Sequence, residues 1–427
     1  MVNYANITLW SKTVGSVYRN SGTGIVSFEF EPEFVKSGYN ISPLFLPLVI
    51  GRVYSFPELN YETFKGLPGF LADSLPDKFG NDLINQWLVQ EGRPRDSYNP
   101  VERLLYQGTR AMGALEFEPA RRSDLNQPLI IELKGLVNAA IQVLNERKDI
   151  SGNLNHTDDA LRTLLHIGTS AGGARAKAII AYNQATGEIR SGQVDAPDGF
   201  EHYLLKLDGV TNGSLGDPTH YGSIEYSYYR MAQACGIKMM ESRLLTDGRR
   251  KHFMTKRFDR INGNHRIHMT TLCGIAHMDF NRPGAYSYEQ LFNVMRELHL
   301  SHQEAEQAFR RMVFNIVGRN QDDHTKNFAF LMDTDGQWRL APAYDMVYAY
   351  NKTGSYTNLH QMSVNGKRDN FNIDDLLSIA NNIHLKDGKS IILEISNIFK
   401  HIDDYLESDI PQSMVDKIKS NLCTNWQ

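Results

Sequence analysis

A polar stretch at residues 318–345, GRNQDDHTKNFAFLMDTDGQWRLAPAYD, constrains the fold of this chain more than any other segment. Asp322 precedes Asn327 by five positions, and the polar residues between them leave no regular apolar face, which predicts a loop. Two short apolar runs around a Gly-bearing turn follow at 328–340, and they predict a β-hairpin. The hairpin would bring Asp345 back beside the loop.

These residues match a known chemical requirement. A protein-kinase catalytic loop has the same interval between an Asp that accepts the substrate hydroxyl proton and an Asn that holds Mg²⁺. Asp345 would add a metal-binding carboxylate, so the stretch carries the groups that phosphoryl transfer requires. The alternative is that Asp322 and Asn327 are solvated turn residues, since Asp, Asn and Gly usually are in loops.

Length and composition narrow the class of protein. A chain of 427 residues is too long for one ordinary core and predicts two or three domains. A content of 41% hydrophobic and 22% charged residues argues against gross disorder. The net charge of −4 gives no support to a dedicated nucleic-acid or membrane surface.

Cysteine usage and the apolar runs indicate where such a protein works. Cys235, Cys273 and Cys423 are far apart and form no CxxC pair or metal spacing, which favours a reducing, cytoplasmic setting. The first fifteen residues lack the pattern of a signal peptide. The longest apolar run, 43–50, is too short to cross a bilayer, so no membrane association is expected.

The first third of the chain changes its hydrophobic period. Residues 7–34 show a period of two, which predicts a small antiparallel sheet. Residues 64–90 show helical spacing, and Pro76 should divide them. Residues 129–143 are predicted to form the first helix of a second domain.

A Gly-rich segment at 168–177, GTSAGGARAK, precedes a predicted strand. Small residues let the backbone approach a phosphate, and consecutive N–H groups make an anion-binding concavity. Arg175 and Lys177 could then face phosphate oxygens. The segment matches neither GxGxxG nor the P-loop spacing, and structural turns with several glycines are commoner than nucleotide loops.

Lys206 lies inside the apolar run 203–207, where a lysine must reach solvent or find an anion. An edge-strand lysine that faces water fits the local pattern equally well. A predicted helix at 224–235 and a hairpin at 243–258 follow, and the second strand of the hairpin would lead to the crossover where a kinase backbone meets adenine.

Helical patterns dominate after residue 259. Ser301 and Glu304 form a capping box that should open one of these helices. The predicted helices are 288–298, 301–317, 374–381, 389–400 and 412–422.

The motifs in their order along the chain resemble the HipA family of serine/threonine toxin kinases. They are GTSAGGARAK at 168–177, HYLLKL at 202–207, KRFDR at 256–260, DDHTKN at 322–327 and PAYD at 342–345, together with DSLPD at 73–77 and GALEF at 113–117. The likeness covers nearly the whole chain.

The resemblance implies an α+β, two-lobed protein-kinase-like fold with an additional N-terminal α/β subdomain and an α-rich C-lobe. The expected domains are an N-terminal HipA-type subdomain at 1–120, a kinase N-lobe at 121–258 and a helical C-lobe at 259–427. The cofactors implied are ATP and Mg²⁺.

The resemblance also implies residue roles. Asp322 would be the catalytic base, Asn327 and Asp345 the Mg²⁺ ligands, Lys206 the ATP-phosphate lysine, and Ser170 the site of autophosphorylation. The nucleotide-binding set would be Ser170, Ala171, Gly172, Gly173, Ala174, Arg175, Lys177, Lys206, Lys256, Phe258, His324 and Lys326, with His324 expected to be structural rather than catalytic.

The sequence departs from the family at two positions. Lys256 stands where the family often has Glu, but adenine is bound there through the backbone, so ATP binding should survive. Asp323 stands where some members have Gly. It leaves the choice of base open, although the interval to Asn327 favours Asp322.

The implied function is a protein serine/threonine kinase that acts as the toxin of a toxin–antitoxin pair. Its partner would be a HipB-like DNA-binding antitoxin, through which it meets DNA indirectly, and its substrate a translation component such as an aminoacyl-tRNA synthetase. Two alternatives remain: an antitoxin-binding co-regulator with little kinase activity, and a small-molecule kinase of the aminoglycoside-phosphotransferase type.

Overall fold

The structure is a computed structural model that describes residues 2–122, 125–127, 129–146, 161, 164–165, 175–211 and 219–426. The chain divides into two compact units. The first comprises Met1–Ile41, Leu46–Gly222 and Arg243–Met269, and the second comprises Ser42–Phe45, Ser223–Ser242 and Thr270–Gln427. The sequence-based division after residues 120 and 258 stays a prediction.

An antiparallel sheet forms the N-terminal part of the first unit, with the strand order β4-β3-β2-β1-β5. Its strands are β1 (Tyr4–Leu9), β2 (Lys12–Arg19), β3 (Val26–Phe30), β4 (Val53–Tyr54) and β5 (Leu115–Glu118). The sheet that the period of two predicts is confirmed. A Cβ atom at Gly15 would lie 2.1 Å from the carbonyl oxygen of Glu29, so the close approach of β2 and β3 requires glycine there.

Helices flank this sheet and continue beyond it. Those in the described part of the first unit are α1 (Pro32–Ser37), α2 (Tyr61–Phe64), α3 (Gly69–Ala72), α4 (Lys78–Gln90), α5 (Pro100–Gln107) and α6 (Leu133–Glu146). Pro76 lies between α3 and α4, as predicted. Asp77 caps α4, because its carboxylate accepts a hydrogen bond from the Gly80 N–H at 2.6 Å.

A second antiparallel sheet of the first unit has the order β7-β6-β8-β10-β9. Its strands are β6 (Arg175–Tyr182), β7 (Ile189–Ser191), β8 (Glu201–Thr211), β9 (Ser242–Asp247) and β10 (Arg250–Lys256). Leu136 and Val137 of α6 belong to the buried cluster that includes Ile180, Leu205 and Met254 from this sheet. A small hairpin of β11 (Arg260–Ile261) and β12 (His265–Arg266) follows β10.

The predicted helix at 129–143 begins later than expected. The Ser191 N–H donates to the Leu129 oxygen at 3.0 Å, and the Ile131 N–H donates to the Ile189 oxygen at 2.8 Å. Because this pairing with β7 uses backbone groups that a helix would need, α6 starts only at Leu133.

Helices dominate the second unit. They are α7 (Tyr221–Ala234), which begins at the unit boundary, α8 (Leu272–Ala276), α9 (Tyr288–Glu297), α10 (His302–Val317), α11 (Ile373–Asn382), α12 (Gly388–Lys400) and α13 (Gln412–Asn421). The predicted capping box of α10 is confirmed. The Glu304 N–H donates to Ser301 Oγ at 3.3 Å, and the Ser301 N–H donates to Glu304 Oε2 at 2.9 Å.

Short strands complete the second unit. They are β13 (His268–Thr271), which begins before the unit boundary, β14 (Tyr286–Ser287), β15 (Ala329–Met332), β16 (Trp338–Leu340) and β17 (Met362–Ser363). The predicted hairpin after Asn327 is confirmed, because β15 and β16 pair antiparallel from Phe330 opposite Leu340 to Met332 opposite Trp338. The hairpin extends the sheet β13-β15-β16, and β14 pairs with β17 in parallel.

Cys235, Cys273 and Cys423 are free thiols. In the described ranges no helix combines the length and the apolar character that a bilayer crossing needs.

Candidate active site

A short loop joins α10 to β15 and carries the residues from Asp322 to Asn327. Thr325–Asn327 form a single 3₁₀ turn, and His324 caps it by accepting a hydrogen bond from the Lys326 N–H on Nδ1 at 3.2 Å. The Asn327 Nδ2 donates to the backbone oxygen of Asp322 at 2.7 Å. This bond fixes Asp322 and Asn327 relative to each other, and it turns the amide oxygen of Asn327 away from that contact.

The adjacent carboxylates of Asp322 and Asp323 have opposite environments. Asp323 is 1% exposed, and its oxygens accept hydrogen bonds from Tyr288 Oη at 2.8 Å, His360 Nδ1 at 2.9 Å and the Gln361 N–H at 2.7 Å. The side chain of Asp322 is 42% exposed, although its Oδ1 atom is buried. Asp323 is therefore committed to internal bonds, whereas the Asp322 side chain reaches the surface.

Asp345 follows the hairpin and is bound to the same loop. The Tyr344 hydroxyl donates to the Lys326 oxygen at 2.6 Å, and Asn320 Nδ2 donates to the Asp345 oxygen at 3.2 Å. Asp345 has a backbone φ of 53°, in the left-handed region that costs a residue other than glycine about 1–3 kcal/mol. A backbone in this conformation persists only where its surroundings hold it.

The oxygen atoms of Asn327 and Asp345 suit a magnesium ion. Carboxylate and amide oxygens are hard ligands, and Mg²⁺ at phosphoryl-transfer sites takes one or two carboxylates together with substrate phosphates and water. Among the residues that the structure describes, no group of three or more His, Cys, Asp or Glu side chains could hold a metal ion. One carboxylate and one amide oxygen form a partial donor set of the kind that Mg²⁺ takes when substrate phosphates and water supply its other ligands.

Negative charge accumulates around Tyr356, which the sequence did not single out. Burial raises the pKa of the Tyr356 hydroxyl, and the charges of Asp322, Asp323 and Asp279 raise this pKa further. The hydroxyl therefore stays protonated at neutral pH.

Phe280 is a second residue of this region that sequence reasoning missed. Lys326 Nζ lies 4.6 Å from the centroid of the Phe280 ring, a cation–π distance, and the His324 ring lies 5.4 Å away at a tilt of 57°. The His324 Nε2 is also 3.7 Å from Asp322 Oδ1. Capping and ring packing give His324 a structural role, and the nucleotide contacts of His324 and Lys326 stay predictions.

Two predicted phosphate-binding lysines lie side by side in the first unit. Lys177 on β6 and Lys206 on β8 are direct partners in the antiparallel register, so their side chains leave the same face of the sheet. Lys177 is 8% exposed, and Lys206 Nζ lies 5.7 Å from the Phe253 ring centroid. Like charges directly opposite each other are destabilising, and a bound anion would relieve that repulsion.

The segment after β10 carries the predicted adenine contacts. Lys256, the last residue of β10, forms an ion pair with Glu201, and the Arg257 N–H donates to the His202 oxygen at 2.9 Å. Phe258 follows and is half-buried. The nucleotide contacts of Lys256 and Phe258 stay predictions.

Asp259 anchors this segment inside the first unit. Its carboxylate accepts hydrogen bonds from Arg257 Nη2 at 2.6 Å, Arg260 Nη1 at 2.8 Å and the Gly113 N–H at 2.7 Å. Burial by itself would raise the pKa of Asp259, but the charges of both arginines outweigh it and hold the pKa well below its ordinary value. The KRFDR and GALEF motifs, about 140 positions apart in sequence, are thus joined through Asp259 and Gly113.

Most of the predicted Gly-rich segment lies outside the residues that the structure describes. Ser170, Ala171, Gly172, Gly173 and Ala174 lie outside the described residues, and so does the side chain of Arg175, although its backbone begins β6. Their predicted roles in nucleotide binding, and autophosphorylation of Ser170, stay predictions.

Two protein-family models match this chain. The family model of the HipA N-terminal domain matches residues 5–118, and that of the HipA-like C-terminal domain matches residues 169–408. A curated protein of Haemophilus influenzae named "Putative kinase" is 29% identical over 138 residues. The alignment covers 29% of this chain and 40% of that relative, so the chain spans less than half the length of the curated protein it matches.

A solved structure shows the fold. HipA of Shewanella oneidensis MR-1, in a structure with HipB and operator DNA, has a TM-score of 0.63 at 16% identity over 97% of this chain and 95% of its own. The Helicobacter pylori proinflammatory kinase CtkA covers 58% of this chain and 90% of its own, at 16% identity and a TM-score of 0.36. The α+β, protein-kinase-like fold expected from the motifs is confirmed. The chain belongs to the HipA family.

Proposed function

We propose that this protein is an ATP- and Mg²⁺-dependent protein serine/threonine kinase of the HipA type. One observation carries the proposal. The Asp322–Asn327 loop is closed by the bond from Asn327 Nδ2 to the Asp322 oxygen, and two further bonds from Tyr344 and Asn320 tie Asp345 or its neighbour to the same loop. These hydrogen bonds tie the proposed base and the two proposed oxygen ligands to one loop, which supports the fixed positions that phosphoryl transfer needs.

The proposed mechanism assigns one task to each side chain. Asp322, whose side chain reaches the surface, accepts the proton of the acceptor hydroxyl as that oxygen attacks the γ-phosphorus of ATP, and the bond from this phosphorus to the bridging oxygen breaks so that ADP leaves. Asn327 and Asp345 bind Mg²⁺, which when bound neutralises charge on the transferred phosphoryl group. Lys177 and Lys206, paired on one sheet face, bind phosphate oxygens. Catalysis comes mainly from positioning and charge stabilisation.

The partner and the substrate follow from family membership rather than from the site. A HipB-like DNA-binding antitoxin is the proposed partner, and support comes from the Shewanella HipA structure, which contains HipB and operator DNA. The proposed acceptor is a protein of the translation machinery, such as an aminoacyl-tRNA synthetase. Ser170 is the proposed autophosphorylation site, supported by the match of the segment 168–177 to the family motif.

The replacement Asp322→Ala tests the proposal. A positioned base contributes about 10²–10⁴-fold to the rate, so transfer of phosphate from Mg·ATP to protein should fall by that factor. The measurement is incorporation of labelled phosphate by purified chains, together with phosphosite mapping in cells that express either form. Thermal unfolding should be nearly unchanged, because the side chain reaches the surface.

The matched control is Asp335→Ala, which removes an exposed carboxylate from the turn of the neighbouring hairpin. It should transfer phosphate at the wild-type rate. Residual activity of Asp322→Ala within a few-fold of wild type would remove Asp322 from the role of base.

A further inference from the structure

A chain of buried hydrogen bonds runs from the backbone of Asp345 to the carboxylate of Asp323. Asn320 Nδ2 donates to the Asp345 oxygen at 3.2 Å and to Asn315 Oδ1 at 2.9 Å. Asn315 Nδ2 donates to Tyr288 Oη at 3.1 Å, and the Tyr288 hydroxyl donates to Asp323 Oδ2 at 2.8 Å. The three links from Asn320 to Asp323 have the same donor direction, and Asn320 donates at the other end to the Asp345 oxygen.

The side chains that form these hydrogen bonds are buried. Tyr288 is fully buried, Asn315 and Asn320 are each 2% exposed, and Asp323 is 1% exposed. The Tyr288 hydroxyl accepts from Asn315, so its own proton must go to Asp323. Water cannot easily replace a lost link in such a buried network, and buried polar groups left without partners are costly.

The two ends of this series of hydrogen bonds lie next to the proposed catalytic groups. Asp323 is the neighbour of Asp322 in sequence, and the bonded carbonyl at the other end belongs to Asp345 itself. Asp345 also has the positive φ that its surroundings must hold. These hydrogen bonds therefore connect the backbone oxygen of the proposed metal ligand, Asp345, to the carboxylate of Asp323, the residue that follows the proposed base.

We propose that the Asn320–Asn315–Tyr288–Asp323 chain, here called the buried relay, sets the position of Asp345 relative to Asp322, and that Tyr288 at its centre is a positioning residue for phosphoryl transfer. The inference rests on the proposed function. Tyr288 is fully buried and is neither the proposed base nor a proposed metal ligand. It acts through Asn315 and Asn320 on one side and through Asp323 on the other.

The replacement Tyr288→Phe removes only the hydroxyl and keeps the ring that packs edge-on against Phe328 at 5.7 Å. Residues that orient metal ligands typically change metal affinity or activity by about 10–100-fold. We expect the Mg²⁺ concentration for half-maximal transfer to rise about tenfold or more and kcat to fall by about 10–100-fold. The KM for the protein acceptor should stay within about twofold of wild type, because the replacement removes no contact that binds the acceptor equally in the ground state and the transition state.

A second readout does not depend on turnover. Calorimetry of a non-hydrolysable ATP analogue, with and without Mg²⁺, measures how much the metal strengthens nucleotide binding. Tyr288→Phe should lose about tenfold of that Mg²⁺-dependent gain and keep the metal-free affinity. Asn320→Ala, which removes the bond to the Asp345 oxygen directly, should have the same signature. The double variant should be no worse than the more impaired single variant, because both break one chain.

The matched control is Tyr228→Phe. Tyr228 is also fully buried in the second unit, its hydroxyl donates to the Gly318 oxygen at 2.8 Å, and its ring contacts Phe314 and Phe399. Tyr228→Phe should lower the stability of the protein as Tyr288→Phe does. The Mg²⁺ concentration for half-maximal transfer should stay unchanged in Tyr228→Phe.

Each outcome decides between the inferences. An active wild type, an inactive Asp322→Ala variant and a Tyr288→Phe variant with wild-type Mg²⁺ dependence would overturn the buried relay and leave the proposed function standing. The same change in Mg²⁺ dependence in Tyr228→Phe and Tyr288→Phe would also overturn it, because general loosening would then be the cause. A wild type with neither transfer nor Mg²⁺-dependent nucleotide binding would overturn both inferences.

Discussion

Replacing Asp259 by Asn tests how strongly a buried charge network holds the first unit together. The carboxylate is fully buried and accepts from Arg257 Nε at 2.9 Å and Nη2 at 2.6 Å, from Arg260 Nη1 at 2.8 Å and from the Gly113 N–H at 2.7 Å. Asn has nearly the same shape and one acceptor oxygen. It carries no charge, and its amide nitrogen would face donors.

The expected loss in the free energy of unfolding is large, because both arginines would stay buried without their carboxylate partner. The side chains of Arg257 and Arg260 are 1% and 4% exposed, so neither can turn to water without moving the backbone. Breaking a buried ion pair by removing one partner costs about 3–5 kcal/mol. Since a folded domain is stable by only about 5–15 kcal/mol, Asp259→Asn should bring the first unit close to unfolding.

Urea unfolding measures the loss, and hydrogen exchange locates it. The exchange of the Gly113 amide should accelerate, because this N–H loses its carboxylate acceptor. Trp10 reports on the same unit, since its Nε1 donates to the Arg266 oxygen at 2.8 Å. The control is Asp198→Asn, an exposed carboxylate of the same unit, which should change stability by less than about 0.5 kcal/mol.

The pH dependence has a definite sign. The folded-state pKa of Asp259 is held below its unfolded value, so its stabilisation is complete above about pH 4 and is lost as the pH falls towards the folded pKa. The difference between wild type and Asp259→Asn should therefore narrow below about pH 4. A loss of under about 1 kcal/mol at pH 7 would refute the reasoning, because the arginines would then be stabilised without Asp259.

Two further predictions concern the second sheet of the first unit. Lys177→Met should weaken Mg·ATP binding by about 10–100-fold, as expected for a lost charged hydrogen bond of about 1.5–3 kcal/mol, and the protein should remain folded without nucleotide. Calorimetry and thermal unfolding check both parts, and an unchanged affinity would contradict the role. Burial lowers the pKa of His252 to about 4, so between about pH 6.5 and 4 the unfolded chain binds a proton that the folded chain does not bind. This residue should therefore contribute about 2 kcal/mol to the fall in stability from pH 7.5 to 5. His252→Asn keeps an acceptor for the Asp208 N–H, which donates to Nδ1 at 2.8 Å, and should reduce that fall in urea titrations at the two pH values; an equally steep fall would point to other groups.

Local signals made the centre of the site predictable. The interval from Asp322 to Asn327, the hairpin after it and the capping box at Ser301 all depend on neighbours within a few residues, and the structure has the loop, hairpin and helix that they indicate. The start of α6 could not be read in this way. The extended segment 129–131 pairs with a strand about sixty positions later, and tertiary pairing overrode the local helical spacing.

The pairing register of β6 and β8 also could not be predicted from the sequence. Lys177 and Lys206 each precede or lie within an apolar run, but their facing positions depend on which residues of β6 and β8 pair and on a register shift between Arg175 and Lys177. A slip of one residue would send one lysine to the opposite face of the sheet. The paired lysines, and with them the anion site that we propose, are therefore a property of the folded sheet.

The choice between Asp322 and Asp323 shows the same limit at the scale of one residue. The two carboxylates are identical in type and adjacent, so sequence alone could only prefer Asp322 by its interval to Asn327. The structure separates them through Tyr288, His360 and Gln361, up to 38 positions away, whose donors occupy Asp323. A carboxylate with its oxygens bonded internally is a poor acceptor for a substrate proton, so these distant donors support the proposal that Asp322, and not Asp323, is the base.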